Sequence, residues 1–302
     1  MSGLYLNRTD EYHRRELDSL CWEVTISIML EDPVCRSVLK RPGSFGDLLC
    51  SHLFTLIPMD RVHHVLEVGG GYGYLMRDLL RHSRGLKATM IEISPALLAR
   101  QREVLEGLPV RFLLEDFLQV DTSILSGIDL AVLNEVMGDL PTACRAASAE
   151  PSEQLEGEVE RLCTTYGLSF VQTLNIGAIQ AVEKLCAARI PFIYLSEQSC
   201  EACTPEELWG LIDLKATGEP ERIRLHGHEE YTVRFSDIER VALAQGYGVR
   251  RGRYLDFIQP AIDEEVAFIL RVPTKDERHE RIRQLIEDLA RYEYLVLTSR
   301  NR

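Results

Sequence analysis

Apolar residues recur along this 302-residue chain in two alternating patterns. Short apolar runs bounded by turn residues predict buried strands, and apolar residues spaced three and four positions apart predict helices. Strands are predicted at 62–68, 86–93, 109–116, 128–135, 190–197, 249–258 and 265–272. Helices are predicted at 9–31, 44–57, 74–82, 95–105, 150–167, 174–188, 234–248 and 275–302.

This alternation predicts an α/β fold, in which a mostly parallel sheet carries helices on both faces. The last two predicted strands, 249–258 and 265–272, lie too close in sequence for a crossover helix, so we expect them to form an antiparallel hairpin. Seven strands with that ending are typical of the Rossmann-like sheet of class I methyltransferases. The fold class expected from the pattern is therefore that seven-stranded sheet with a helical N-terminal cap.

The same pattern divides the chain into three predicted parts. A helical cap covers 1–58, the main domain covers 59–273, and a highly charged helix covers 274–302. The segment 198–233 is predicted to be an insertion within the main domain. With 45% hydrophobic and 27% charged residues, the composition is ordinary for a globular protein with a full-sized core.

Charge and hydropathy exclude several classes of partner. The net charge of −13 repels phosphate backbones, so a nucleic-acid partner is not expected. No apolar stretch approaches the roughly 20 residues that span a bilayer, and the polar N-terminus lacks the apolar core of a secretory signal. Eight cysteines in a chain of this length predict reduced, mostly buried thiols. We therefore expect a cytoplasmic protein that does not bind membranes.

The stretch VLEVGGGYGYLMRDLL (65–80) places a glycine-rich turn between a predicted strand and a predicted helix. Gly69, Gly71 and Gly73 permit a tight turn and a close approach of a ligand to the backbone, but Tyr74 stands where a dinucleotide fingerprint needs its third glycine. Glu67 would repel a pyrophosphate and suit a ligand with an ammonium and a sulfonium. S-adenosylmethionine (SAM) carries both groups and lacks phosphates, so the turn favours SAM over NAD.

Acidic residues end the next two predicted strands. The carboxylate of Glu92, at the end of 86–93, can accept hydrogen bonds from both ribose hydroxyls. Asp116 and Phe117, at the end of 109–116, can accept a hydrogen bond from the adenine amino group and pack on its face. Because such sheets bind ligands at the carboxyl ends of their strands, SAM is the predicted cofactor.

Three segments resemble the MidA family of SAM-dependent methyltransferases, which includes the mitochondrial complex I assembly-factor protein arginine methyltransferases. They are LEVGGGYGYLMRDLLRH (66–82), MIEISPALLARQREVLEGLPVRF (90–112) and LNEVMGDLP (133–141). The resemblance implies methyl transfer from SAM to a protein arginine. Two positions depart from the family pattern. Gly138 stands where an aspartate is expected, with Asp139 one position later, and Ser196-Glu197-Gln198 replaces an Asp-Tyr-Gly.

The end of the fourth strand carries the predicted catalytic residues. If the acceptor is a guanidinium, carboxylates must hold it and direct its lone pair toward the methyl group, and Glu135 is predicted in that role. Asn134 would orient the methionine end of the cofactor or the acceptor, and Asp139 and His228 are further candidates. The alternative for Asn134-Glu135 is a capping pair at the start of a helix.

Three functions stay open at this level. The chain is a methyltransferase for a protein arginine, a methyltransferase for a small molecule, or an inactive methyltransferase fold that binds a partner. An acidic groove would favour a protein acceptor, and a closed apolar cavity would favour a metabolite. A homodimer is compatible with the fold.

No metal site is predicted from the sequence. Cys200 and Cys203 form a single pair without a second pair at zinc spacing. His226 and His228, followed by Glu229 and Glu230, could line a metal site, but a polar loop is the favoured interpretation.

Overall fold

The computed structural model describes residues 3–17, 20, 24–28, 33–83, 85–147, 152–273 and 275–300. The strands in chain order are β1 Gly3–Asn7, β2 His64–Val68, β3 Lys87–Glu92, β4 Val110–Leu114, β5 Leu130–Asn134, β6 Thr142–Ala146, β7 Thr173–Leu174, β8 Phe192–Gln198, β9 Arg222–Arg224, β10 Glu229–Tyr231, β11 Tyr247–Arg253 and β12 Tyr292–Ser299. The helices are α1 Asp10–Arg15, α2 Val24–Ser27, α3 Pro33–Ser37, α4 Phe45–Leu56, α5 Tyr74–His82, α6 Pro95–Val104, α7 Glu153–Tyr166, α8 Ile176–Ala187, α9 Phe235–Ala244, α10 Glu264–Arg271 and α11 Glu277–Arg291.

A seven-stranded sheet in the order β11-β12-β8-β5-β2-β3-β4 forms the centre of the molecule. The five strands from β8 to β4 are parallel, and β12 runs antiparallel to both of its neighbours. The predicted fold class, with its antiparallel ending, is therefore confirmed. All five parallel strands end at the same edge of the sheet, which places the predicted site residues together.

The core fills both faces of this sheet. Because neighbouring residues of a strand point to opposite faces, Val65 and Val132 pack into one apolar cluster, and Leu66 and Leu133 pack into the other. Helices α4, α5 and α11 contribute to the first cluster, and α8 and α9 contribute to the second. Strands buried on both faces have nearly continuous apolar sequences, which is why the sequence pattern found them.

The strand predicted at 265–272 is wrong, because these residues form helix α10. Val266, Ile269 and Leu270 are buried at helical spacing, and the side chain of Asp263 caps the helix by accepting a hydrogen bond from the Val266 amide at 2.9 Å. The seventh strand is β12 instead. The prediction of a helix over 275–302 is therefore correct only as far as α11. The antiparallel strands β11 and β12 do not form the expected tight hairpin, because α10 and α11 lie between them in the chain.

The N-terminal part is not wholly helical. Strand β1 pairs antiparallel with β6, and β6 pairs with β7, in a second sheet of three strands. The predicted helix 9–31 corresponds to α1 and α2, and part of it lies outside the described residues. The division of the chain into a cap, a main domain and a tail stays a prediction, although β12 joins the predicted tail to the central sheet.

Among the described residues, no helix is long and apolar enough to cross a membrane. The cytoplasmic location and the homodimer stay predictions.

Candidate active site

A cavity of about 640 Å³ lies at the carboxyl edge of the parallel strands. The loops after β2, β3, β4 and β5 and the end of β8 form part of its wall, together with α1 and the β9–β10 hairpin. The predicted site residues found in the wall are Gly69, Gly71, Glu92, Asp116, Phe117, Glu135, Asp139 and His228. Those that do not reach the wall are Glu67, Gly73 and Asn134.

The glycine-rich turn after β2 needs its glycines. Gly69, Gly71 and Gly73 have φ values of 63°, 51° and 83°, a region that favours glycine. A Cβ at Gly69 would lie 2.4 Å from Cγ2 of Val136, and one at Gly71 would lie 2.9 Å from Cδ1 of Leu20. The turn therefore brings bare backbone to the cavity, as a closely bound ligand requires.

Glu67 lies beneath this turn and is almost completely buried. Burial, followed by repulsion from Glu92, raises its pKa to about 8, so the carboxyl group is mostly neutral at neutral pH. Its Oε2 atom has no hydrogen-bond partner among the described residues. The sequence predicted that the charge of Glu67 acts directly on the ligand. In this structure Glu67 does not reach the cavity, so its carboxyl group does not contact a ligand there.

Glu92 is held in place at the end of β3. Its Oε1 accepts hydrogen bonds from the Ile93 and Ser94 amides at 2.9 and 3.0 Å, and its Oε2 accepts one from Nε2 of Gln101 at 2.9 Å. Burial raises its pKa above the ordinary value, although these hydrogen bonds oppose the increase. Gln101 also donates to the Gly71 carbonyl at 3.0 Å, so one side chain from α6 links Glu92 to the glycine turn. The sequence showed Gln101 only as part of a family motif.

Asp116 and Phe117 form the next part of the wall. The Oδ1 atom of Asp116 accepts a hydrogen bond from the Leu118 amide at 2.9 Å. The ammonium of Lys184 lies 5.5 Å from the centre of the Phe117 ring and donates to the Phe117 carbonyl at 2.9 Å. Lys184 thus fixes the loop from α8, a contact that sequence analysis did not identify.

Glu135 has an unusual backbone conformation at the turn that leaves β5. Its φ of 53° lies in the left-handed region, which costs a non-glycine residue about 1–3 kcal/mol and is concentrated at functional sites. Its Oε2 accepts a hydrogen bond from the Val24 amide at 3.0 Å, and its Oε1 accepts one from Nδ2 of Asn134 at 3.2 Å. In the described segment between β5 and β6 no helix begins, so the alternative of a helix-capping pair is excluded.

Asn134 is buried behind Glu135 and positions it. The Oδ1 atom of Asn134 accepts hydrogen bonds from Oγ of Ser196 at 2.9 Å and from the Tyr254 hydroxyl at 3.0 Å. The Tyr254 hydroxyl also lies 3.0 Å from Oγ of Ser196. Tyr254 is 120 residues from Asn134, so no local signal in the sequence could have identified it.

Glu197 supplies a second carboxyl group to the wall. It is buried, and burial raises its pKa to about 8. Its Oε2 accepts a hydrogen bond from the Gly138 amide at 3.1 Å. A Cβ at Gly138 would lie 2.9 Å from the Tyr231 carbonyl oxygen, which leaves no room for the aspartate that the family pattern has there. Gly138 and Glu197, which belong to the two places where this sequence departs from the family pattern, are therefore in direct contact.

Four titratable side chains from distant parts of the chain meet in the wall. His13 of α1 lies 3.3 Å from Oδ1 of Asp139, and Nε2 of His228 lies 2.6 Å from Oε1 of Glu230. Burial, and next the neighbouring His228, lower the pKa of His13 to about 4, so its imidazole is neutral at neutral pH. His226, which was considered together with His228, is exposed and lies outside this cluster.

The wall as a whole is acidic. The carboxyl side chains in it are Asp10, Glu92, Glu115, Asp116, Glu135, Asp139, Glu158, Glu197 and Glu230. Among the described residues of the wall, Arg8 is the arginine that faces them, and no lysine is present. Such a wall favours a cationic ligand and differs from the closed apolar cavity expected for an apolar metabolite.

Comparisons with known proteins match this chain to a family and to solved structures. A family model described as "Putative S-adenosyl-L-methionine-dependent methyltransferase" matches residues 50–205. An uncharacterized protein from Burkholderia thailandensis has the same fold, with a TM-score of 0.52 and 18% identity over 84% of this chain and 78% of that chain. Magnesium protoporphyrin IX methyltransferase from Synechocystis PCC 6803, solved with bound SAM, has a TM-score of 0.41 and 13% identity over 84% of this chain and 80% of that chain. No curated protein matches the sequence.

Proposed function

We propose that this chain, which belongs to the family described as putative S-adenosyl-L-methionine-dependent methyltransferases, methylates a guanidinium nitrogen of arginine in a protein. Residues 50–205, the family match, contain the glycine-rich turn, both acidic strand ends and Asn134-Glu135. The match confirms the enzyme class, the cofactor and the resemblance to MidA-like methyltransferases that the motifs predicted. The acceptor is the proposed part.

The described wall fits SAM. The turn at Gly69 and Gly71 exposes backbone where a Cβ would otherwise lie. Glu92 can accept hydrogen bonds from ribose hydroxyls, and Asp116 and Phe117 can receive the adenine. When bound, SAM supplies a methyl group on a positively charged sulfur, which makes that carbon ready for in-line displacement. The protein then has to bring the acceptor nitrogen to it in the correct orientation.

The position of the Glu135 carboxylate is the observation that carries the arginine proposal. It lies in the cavity wall at the turn after β5, on the same edge of the sheet as the proposed cofactor residues. Carboxylates bind guanidinium groups through strong, oriented hydrogen bonds, and Asn134 and the Val24 amide hold this carboxylate in one orientation. The acidic wall attracts a cationic side chain to the same place.

Methylation of a guanidinium also releases one proton. The acceptor nitrogen gains a methyl group and loses an N–H proton, and the product keeps its single positive charge. Glu197 can receive that proton in its ionised form, which is the minor form at neutral pH because burial raises its pKa to about 8, so we expect methyl transfer to speed up as the pH rises toward 8. In this proposal Glu135 holds the acceptor and Glu197 takes the proton.

The proposal is tested by following a labelled methyl group. The full chain is incubated with methyl-labelled SAM and a cell extract that lacks this protein, and labelled proteins are hydrolysed for amino-acid analysis. We expect label in methylarginine. Label only in small molecules would support the metabolite alternative, and SAM binding without label transfer would support the inactive fold.

Glu135→Gln separates acceptor binding from cofactor binding. Because glutamine keeps the shape but loses the charge, we expect SAM affinity by isothermal titration to change little while methyl transfer falls at least about 100-fold, as for a lost group that binds the transition state. Glu106→Gln, an exposed substitution outside the cavity, is the matched control and should leave both quantities unchanged. Turnover of the Glu135→Gln variant at the wild-type rate would remove Glu135 from the mechanism.

A further inference from the structure

We propose that His13, Asp139, His228 and Glu230 bind a divalent transition-metal ion, for which Zn²⁺ is the best match, in the wall of the methyltransferase cavity. One ligand atom from each residue lies within 4.8 Å of those from the other three. The sequence raised the stretch with His228 and Glu230 as a possible metal site but favoured a polar loop, because the other two ligands come from α1 and from the loop after β5.

The chemistry of the four side chains suits such an ion. Two imidazoles and two carboxylates provide nitrogen and oxygen donors, the set that Zn²⁺ and neighbouring first-row ions bind in proteins. Because an imidazole binds a metal in its neutral form, two such ligands with two carboxylates would carry a charge of −2, which a divalent ion balances. Magnesium and calcium prefer oxygen ligands alone and fit this set less well.

The cluster is partly enclosed and its rings are held in place. The side chains of His13 and His228 are 11% and 5% exposed, and those of Asp139 and Glu230 are 21% and 23% exposed. The ring of Tyr12 stacks on His228, with centroids 4.2 Å apart, while Glu230 contacts its Nε2. The other ring nitrogen, Nδ1, is buried and has no hydrogen-bond partner among the described residues. Nδ1 is thus the nitrogen that could bind the metal, while Oε1 of Glu230 holds Nε2 and leaves Oε2 of Glu230 as its ligand atom.

The alternative is two separate histidine–carboxylate pairs. Those pairs explain the contacts of 3.3 and 2.6 Å, but among the described residues they leave Nδ1 of His228 buried without a partner. A bound cation would give this nitrogen a partner.

The ion would fasten a part of the wall that has little apolar packing. Helix α1 has six residues and none of them is buried. His13 is its contribution to the cluster, so a metal bond there would tie α1 to the loop after β5 and to Glu230 of β10. These elements line the same cavity as Glu135.

Metal titration of the full chain tests this site without using methyl transfer. The protein is first dialysed against a chelator and then titrated with ZnCl₂ by isothermal calorimetry. We expect one equivalent to bind, with at least a ten-fold loss of affinity in His13→Gln and in His228→Gln. His226→Gln is the matched control, since His226 lies in the same hairpin but is exposed and outside the cluster. Circular dichroism shows whether each variant is folded.

Titration with Co²⁺ identifies the ligand type. We expect visible d–d bands that disappear in the His13 and His228 variants, without the near-ultraviolet charge-transfer band of a thiolate ligand. The proposal would be overturned if the wild type bound no metal, if either histidine variant bound it as tightly as the wild type, or if a thiolate band from the cysteines appeared. The metal readout needs neither SAM nor an acceptor, so it can fail while arginine methylation succeeds, and the reverse also holds.

Discussion

Replacement of Glu67 by glutamine is expected to remove a large part of the fall in stability between pH 5 and pH 7. Glu67 is 2% exposed beneath the glycine turn, and burial together with repulsion from Glu92 raises its pKa from 4.5 to about 8. The unfolded chain releases this proton above about pH 4.5, whereas the folded chain keeps it until about pH 8. Stability from the bound proton is therefore fully present below about pH 4.5 and is lost as the pH rises to about 8.

The magnitude follows from this difference in proton binding. Each pH unit between the two pKa values changes the free energy of unfolding by about 1.4 kcal/mol, so Glu67 accounts for a loss of about 3 kcal/mol between pH 5 and pH 7. Glutamine has nearly the same shape and does not ionise, so its variant lacks this contribution. Other buried acids, such as Glu197, keep the remaining pH dependence in both proteins.

Urea unfolding at pH 5, 6 and 7, followed by circular dichroism, measures the effect. The quantity compared is the change in unfolding free energy from pH 5 to pH 7 in wild type and in Glu67→Gln. Glu106→Gln, which alters an exposed carboxylate, is the control and should behave as wild type. If the Glu67 variant lost as much stability as wild type over this range, Glu67 would not keep its proton and the reasoning from burial would be wrong.

Two further substitutions test the cofactor turn and the support of Glu135. Gly71→Val adds a branched side chain at a φ of 51°, close to Leu20. We therefore expect SAM affinity, measured by isothermal titration, to fall at least about 100-fold. Undiminished binding would contradict the proposed cofactor position. Tyr254→Phe removes the hydroxyl that donates to Asn134 and should lower the free energy of unfolding by about 0.5–1.5 kcal/mol, because Oδ1 of Asn134 keeps its hydrogen bond from Ser196. The same variant should slow methyl transfer more than it weakens SAM binding, and equal losses in both would argue against a positioning role.

The cofactor half of the site could be predicted because its signals are local. Gly69, Gly71, Glu92 and Asp116 each lie at the end of an apolar run, and the ends of successive parallel strands meet at one edge of a sheet. Their placement in the cavity wall follows from strand order alone. The burial and the raised pKa of Glu67 could not be predicted in this way, because the sequence does not show how deeply a strand residue is buried.

The C-terminal part shows where local patterns become ambiguous. The apolar stretch of 265–272 suits a strand or a buried helix, and the strand β12 follows a charged helix without a break. Packing decides whether each of these stretches becomes a helix or a strand. One face of α10 buries Val266, Ile269 and Leu270, and the gap between β8 and β11 is filled by β12.

The sequence by itself determined the alternation of strands and helices, the family and the cofactor, because periodicity and turn residues act over a few neighbouring positions. Only the tertiary structure decided what surrounds the proposed acceptor. Tyr254 reaches Asn134 across 120 residues, and His13 meets His228 at a ring distance of 5.4 Å. Such contacts depend on how completed elements pack against one another, and the residues that make them need no mutual pattern along the chain.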